Sequence, residues 1–185
     1  MHIILINDII LNVRGELLMA NGSKIEFELI CEDILNNIEF KNLNKEAHHG
    51  ITRYEHSIRV AKTTYRFAKF MHVRDYKETT RAALLHDFYS NKDLDSLTSY
   101  EKLSAHPNLA LKNAKKYYDI NSIQEDIIKN HMFPATKVIP KTKEGIIVSL
   151  TDKLVATYEM LHYKFSMQLS VLIIFIINIV NIQNS

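Results

Sequence analysis

The chain has 185 residues, enough for one domain with a proper core and marginal for two. Its composition, 46% hydrophobic and 24% charged, is that of an ordinary globular protein, and a net charge of +2 is too small to imply a nucleic-acid surface. A single cysteine, Cys31, excludes an internal disulfide framework and fits a reducing, cytoplasmic setting; four glycines and three prolines favour long helices over a turn-rich β fold.

Residues 1–22 form an N-terminal segment whose pattern fits a short strand or helix. Its opening MHIILINDIIL lacks the basic start of a secretory signal, and Asn7 and Asp8 interrupt the apolar run. Asn21-Gly22 could turn a hairpin between ELLMA and KIEFE. The spacing of Phe27, Ile30, Cys31, Ile34, Leu35 and Ile38 behind a Ser23–Glu26 capping box instead predicts a helix over about 24–40.

RYEHSIRVAKTTYRFAKFMHV (53–73) is a clearer helix, with Tyr54, Ile58, Ala61, Tyr65 and Ala68 on one stripe and His56, Val60, Thr63 and Phe67 beside it. Asp75 and Glu78 read as the capping box of a helix from 76 to about 89, which carries His86 and Asp87. Pro107 occupies the position of a first helical residue, so NLALKNAKKYY reads as the next helix, just after His106. Ser122 and Glu125 cap SIQEDIIKNH, which ends at His131; a loop with Pro134, Lys137, Pro140 and Lys141 follows.

Thr142 opens the last long helix, where Ile147, Leu150, Leu154, Tyr158 and Leu161 recur at helical steps and Asp152 lies near that stripe. From Phe165 to Ser185 there is no charge, and LSVLIIFIINIV (169–180) is almost wholly apolar. Twelve helical residues span only about 18 Å against a bilayer core of about 30 Å. The tail therefore reads as a core helix, or as a homo-oligomer interface through 165–182, ahead of a membrane anchor. The expectation is an all-α protein: one compact helical bundle over 23–164, with an apolar C-terminal helix over 165–185.

His56, His86, Asp87, His106, His131 and Asp152 fall in or at the ends of five predicted helices. An unpaired buried carboxylate costs several kcal/mol, so buried carboxylates are paired or bound to a metal. Imidazole nitrogen and carboxylate oxygen suit divalent Mn, Fe, Co, Ni or Zn, and helical bundles build such sites from side chains on facing helices. Adjacent residues on a helix diverge by about 100°, so His86 and Asp87 need partners from elsewhere, with His56 and Asp152 the natural candidates. Each residue also has a bland reading. A lone helical histidine is usually a satisfied core-edge group, as His2, His72 and His162 are read, and a single Asp is more often a cap or ion-pair partner.

HHGITRYEHSIRVA, followed thirty residues after His56 by ALLHD and later by HP, NH and TDK, resembles the HD-domain metal-dependent phosphohydrolase superfamily. The resemblance covers roughly residues 45–160. It implies an α-helical domain in which His56, His86, Asp87 and Asp152 hold a divalent metal. His106 and His131 match the extra histidines of the binuclear H-HD-H-H-D subset, which implies two ions per chain with Asp87 bridging them. That subset includes cyclic-dinucleotide phosphodiesterases and symmetrical dinucleoside-tetraphosphate hydrolases. The chain lacks the GYP element, and HDFYSNK replaces the HD-x-GK of that branch, so the compact tetraphosphatase-like branch fits better.

The implied function is metal-dependent hydrolysis of a phosphate ester or anhydride of a nucleotide or related small molecule. Catalytic roles then fall to Asp87 and Lys153, and phosphate contacts to Lys153 first, with His49, Arg53 and the loop lysines Lys137 and Lys141; the loop lysines could equally be solvated charges, and His48 and His49 a surface pair. No glycine-rich GxxxxGKS loop is present, which argues against ATP-driven chemistry. Two other readings share the ligand set: a di-iron oxygenase, and a metal-binding regulatory module with little turnover.

Overall fold

The computed structural model describes residues 22–48 and 51–183. Helix α1 (22–36) is followed by the one-turn helix α2 (Ile38–Lys41). A two-residue antiparallel ladder, β1 (Ala47–His48) with β2 (Ile51–Thr52), leads into α3 (Arg53–Phe70). Then come α4 (Tyr76–Leu85), α5 (Ser99–Tyr117), α6 (Ser122–Asn130) and α7 (Lys143–Gln183). Apart from the minimal ladder, the fold is all-α. Helix α3 packs on α4 and α7, α4 on α6, and α6 on α5 and α7. Phe40, Val60, Ala61, Leu84, Leu85, Ile127, Ile128 and Val148 fill the core between them. Fully burying a Leu, Ile or Phe side chain contributes about 1.5–3 kcal/mol, so this layer fixes the positions of the helix ends.

Several boundaries differ from the sequence expectation, each for a local reason. The helix expected over 24–40 breaks at Asn37, whose side chain accepts from the backbone N–H of Glu39 and Phe40 and so starts a new turn. Thr52 and Glu55 form the capping box of α3. Asp75 makes no side-chain cap; Glu78 instead accepts from Gln124 Nε2 and Asn121 Nδ2, tying α4 to α6. Helix α5 begins at Ser99 behind a Thr98–Glu101 box, leaving Pro107 inside it and His106 in mid-helix. Asn121 and Gln124 cap α6, one position before the expected pair, and Glu125 pairs with Lys115. The alternatives for residues 1–21 lie outside the described residues.

Helix α7 is unbroken through 165, so no structural boundary separates the bundle from the apolar tail. Its apolar stripe also faces the other way from the expected one. Leu150, Leu154, Tyr158 and Leu161 are exposed, whereas Val148, Ser149, Thr151, Asp152, Val155 and Glu159 are buried. Every residue from Met160 to Ser170 is exposed. Most tail side chains beyond Ser170 lie outside the described residues; among those described, no helix is long and apolar enough to cross a membrane.

The start of α7 is fixed by Asp126. Its carboxylate accepts from the backbone N–H of Lys141 and Thr142, the Thr142 hydroxyl and Asn130 Nδ2. Gly145 sits against this knot: a Cβ there would meet Pro140 Cβ at 2.6 Å and Asp126 Oδ2 at 3.0 Å. Gly145→Ala is therefore expected to destabilise by about 1–3 kcal/mol, the usual cost of overpacking, measured as a lowered urea midpoint with unchanged slope.

Candidate metal centre

His56 lies on the buried face of α3, one turn inside its capping box. His86 and Asp87 follow the last residue of α4 rather than lying within it. The chain turns there, with Phe88 N–H donating to Leu85 O and Tyr89 N–H to Asp87 O. His86 keeps helical dihedrals, and both side chains face one cluster, Asp87 from just past the helix end. His106 comes from mid-α5, His131 from the C-terminal cap of α6, and Asp152 from the buried face of α7. All six are at most 7% exposed, so charge brought together here has little water to screen it.

Asp152 Oδ1 lies 3.1 Å from His56 Nε2 and 3.6 Å from His86 Nε2. Asp87 reaches in two directions: Oδ1 is 3.5 Å from His106 Nε2 and 3.7 Å from His131 Nε2, while Oδ2 is 3.8 Å from His86 Nε2. His106 and His131 bring their Nε2 atoms to 3.1 Å of each other. Two triads, His56–His86–Asp152 and His86–Asp87–His131, have donor atoms within 4.8 Å of one another and could hold a metal ion.

The other ring nitrogens define the proton positions. His86 Nδ1 donates to Ala83 O at 2.7 Å, His106 Nδ1 to Lys102 O at 2.7 Å and His131 Nδ1 to Ile128 O at 2.8 Å. A carbonyl oxygen only accepts, so each Nδ1 carries a hydrogen, and in the neutral ring each Nε2 presents a lone pair to the centre. His86 Nε2 has no hydrogen-bond partner among the described residues, and the facing lone pairs of His106 and His131 repel unless something positive lies near. A cluster of inward lone pairs beside two carboxylates fits a divalent cation of the first transition row.

Burial alone would lower the His56 pKa, but the carboxylates of Asp152 and Glu159 outweigh it and raise it to about 9. At neutral pH, without an ion, His56 thus holds the proton that a cation would displace. His131 is driven the opposite way, down to about 3, chiefly by its burial. Burial would raise the Asp152 pKa, yet contacts from His56 and His86 hold it well below the usual carboxylate range.

The residues expected to contact phosphate separate in the structure. Lys153 lines a cleft of about 320 Å³ together with Asp87, Tyr89, Lys102, His106, His131 and Asp152. Its ammonium donates to His131 O at 2.6 Å and Asp152 Oδ2 at 2.9 Å. Arg53 is a correction: it is 2% exposed, not at the cleft mouth. Its guanidinium lies over the Tyr89 ring and donates to Tyr89 O, Tyr89 Oη and Asn91 Oδ1, bracing the segment after Asp87. Lys137 is a second correction, since it is exposed in the loop after α6 and does not line the cleft. His49 lies outside the described residues.

The sequence reading missed Lys102, which projects one turn before His106 and lines the cleft, and Glu159. The Glu159 carboxylate accepts from His56 Nδ1 at 2.8 Å and is itself 2% exposed. A larger cavity of about 600 Å³ shares only Tyr89 with the cleft and contains none of the six clustered residues.

A helical bundle that closes histidines and aspartates from five helices around one point defines a metal-site domain. Residues 53–157 match the HD domain family, and the chain belongs to it. No curated protein and no solved structure matches the chain. Membership accounts for the gathered His and Asp groups and points to metal-dependent hydrolase chemistry.

Proposed function

We propose that the protein is a metal-dependent phosphohydrolase holding two divalent ions. One would bind His56, His86, Asp152 and Asp87 Oδ2; the other would bind His106, His131 and Asp87 Oδ1. The observation that carries this reading is the set of Nδ1 hydrogen bonds that turns the Nε2 atoms of all four histidines inward toward two buried carboxylates. When bound, such ions supply a lowered pKa for water and positive charge against phosphate oxygens.

The chain's own residues supply the rest. Asp87 offers one oxygen to each half of the cluster and so fixes their separation. Lys153 balances the outer oxygen of Asp152 while lining the cleft, and its third N–H, directed at Met132 Sδ 3.8 Å away, is the one a phosphate oxygen would take over. Lys102 adds a second cation to the cleft lining. Leu103, Met132 and Ala156 give the cleft an apolar surface for the non-phosphate part of the substrate. A cleft of about 320 Å³ lies at the small end of ligand sites, which favours a nucleotide or similarly small ester.

The test is release of inorganic phosphate from a nucleotide panel by protein purified without chelator and supplied with Mn or Fe. Turnover abolished by chelation and restored by metal is the expected result; a metal-loaded protein inert toward every substrate overturns the reading. Lys102→Ala is expected to raise KM roughly tenfold with little change in kcat, the signature of a lost binding contact.

A further inference from the structure

Glu159 touches no substrate and lies two residues beyond the stretch that matches the HD domain. Its side chain is nevertheless fully enclosed. A buried carboxylate needs partners, and this one has two: Oε2 accepts from His56 Nδ1 at 2.8 Å, and Oε1 from Arg59 Nη1 at 3.4 Å. Arg59 lies one turn along α3 from His56, while Glu159 lies two turns along α7 from Asp152. Seven residues on a helix return to nearly the same face, so Asp152 and Glu159 grip opposite nitrogens of one imidazole.

His56 is the exception in the cluster. The other three histidines are oriented by main-chain carbonyls, whereas His56 is oriented by a charged side chain. From this geometry we infer that Glu159, held by Arg59, is a positioning residue for His56, and that it sets the affinity of the ion shared by His56, His86 and Asp152. The inference rests on the metal-dependent reading above. It assigns Glu159 three effects: it keeps the proton on Nδ1, so that Nε2 remains the donor atom; it fixes the ring plane between α3 and α7; and its negative charge makes Nε2 more basic toward a cation. Arg59, whose side chain is 46% exposed, restrains Glu159 from its solvent side.

Titration of chelated protein with Co(II), followed by its visible absorption bands, tests this without any turnover. Wild type is expected to take up cobalt. Glu159→Gln keeps an oxygen for the His56 N–H but removes the charge, and is expected to weaken one phase of the cobalt titration about tenfold; Glu159→Ala, which also frees the ring, about a hundredfold with shifted bands. Circular dichroism and the urea midpoint of the metal-free variants report folding separately, and the isosteric Gln variant keeps the comparison valid if the Ala variant does not fold. Unchanged cobalt affinity and spectrum in folded Glu159→Gln and Glu159→Ala overturn the positioning role. A wild type that binds no cobalt overturns the metal-dependent reading instead.

Discussion

Asp87→Ala is expected to empty the centre. Protein purified without chelator should carry two ions per chain in the wild type and close to none in the variant, measured by elemental analysis against protein concentration. The reason lies in the two directions of this carboxylate: Oδ1 faces His106 and His131, and Oδ2 faces His86. Removing it takes a ligand from both halves at once and leaves Asp152 as the one carboxylate of the six-residue cluster. Phosphate release should fall by about a thousandfold or more, since activation of water depends on the ions. His131→Ala removes a donor from one half only and should leave about one ion per chain. If Asp87→Ala retains two ions, the bridging assignment fails even if activity is lost.

The second large effect is the pH dependence of the metal-free fold. The His131 pKa in the folded chain is about 3, below its ordinary value of 6.5. Between these values the unfolded chain binds the proton and the folded one does not, so stability rises with pH through the window. The contribution of neutral His131 is complete above about pH 6.5 and is lost as pH falls toward 3. A shift of this size corresponds to a loss on the order of 5 kcal/mol.

His56 has the opposite sign. With its pKa raised to about 9, its contribution is complete below about pH 6.5 and is lost as pH climbs through 9. Asp152 and Asp126, both held below the usual carboxylate range, add to the acid limb. Urea unfolding of chelated protein from pH 4 to 9.5 should therefore give a maximum near neutrality with a steep acid side. His131→Gln should flatten the acid limb; an unchanged limb would show that another group governs it. Added metal should extend stability on the alkaline side, because the cation takes the place of the proton on His56.

Much of this architecture is legible before folding because ionisable residues in apolar surroundings are conspicuous. His86 and Asp87 stand out at the end of Ala82-Ala83-Leu84-Leu85, and their order after His56 and before Asp152 carries the family likeness. Helix ends were harder to read. Pro107 looked like a start signal, yet the Thr98–Glu101 box placed the start eight residues earlier, and the helix carries the proline in its interior despite the lost hydrogen bond and the crowding of the carbonyl four residues back.

Periodicity also gave the wrong orientation for α7. The recurrence of Leu150, Leu154, Tyr158 and Leu161 shows that one face is apolar, but not what it packs against. Here the opposite face, carrying Asp152 and Glu159, turns inward because its charges are satisfied there. Arg53 was misplaced for a related reason. A cation near a ligand helix suggests a phosphate contact, and nothing in the linear pattern shows that Tyr89 and Asn91 fold back over it. Glu159 did leave a trace, an acid seven residues after Asp152, which acquires meaning only once His56 is seen between them.

The three main-chain hydrogen bonds that orient His86, His106 and His131 have an evolutionary consequence. Their acceptors are the carbonyls of Ala83, Lys102 and Ile128, which persist whatever side chains occupy those positions. Sequence drift can replace the neighbours of these histidines without turning the rings. At His56 the orienting group is a side chain, so under the positioning role inferred for Glu159 one nucleotide change at codon 159 would alter how firmly the centre holds an ion while every proposed ligand stays in place. Divergence within such a lineage would then retune the metal from this one edge of the cluster long before it erased the signature that identifies the family.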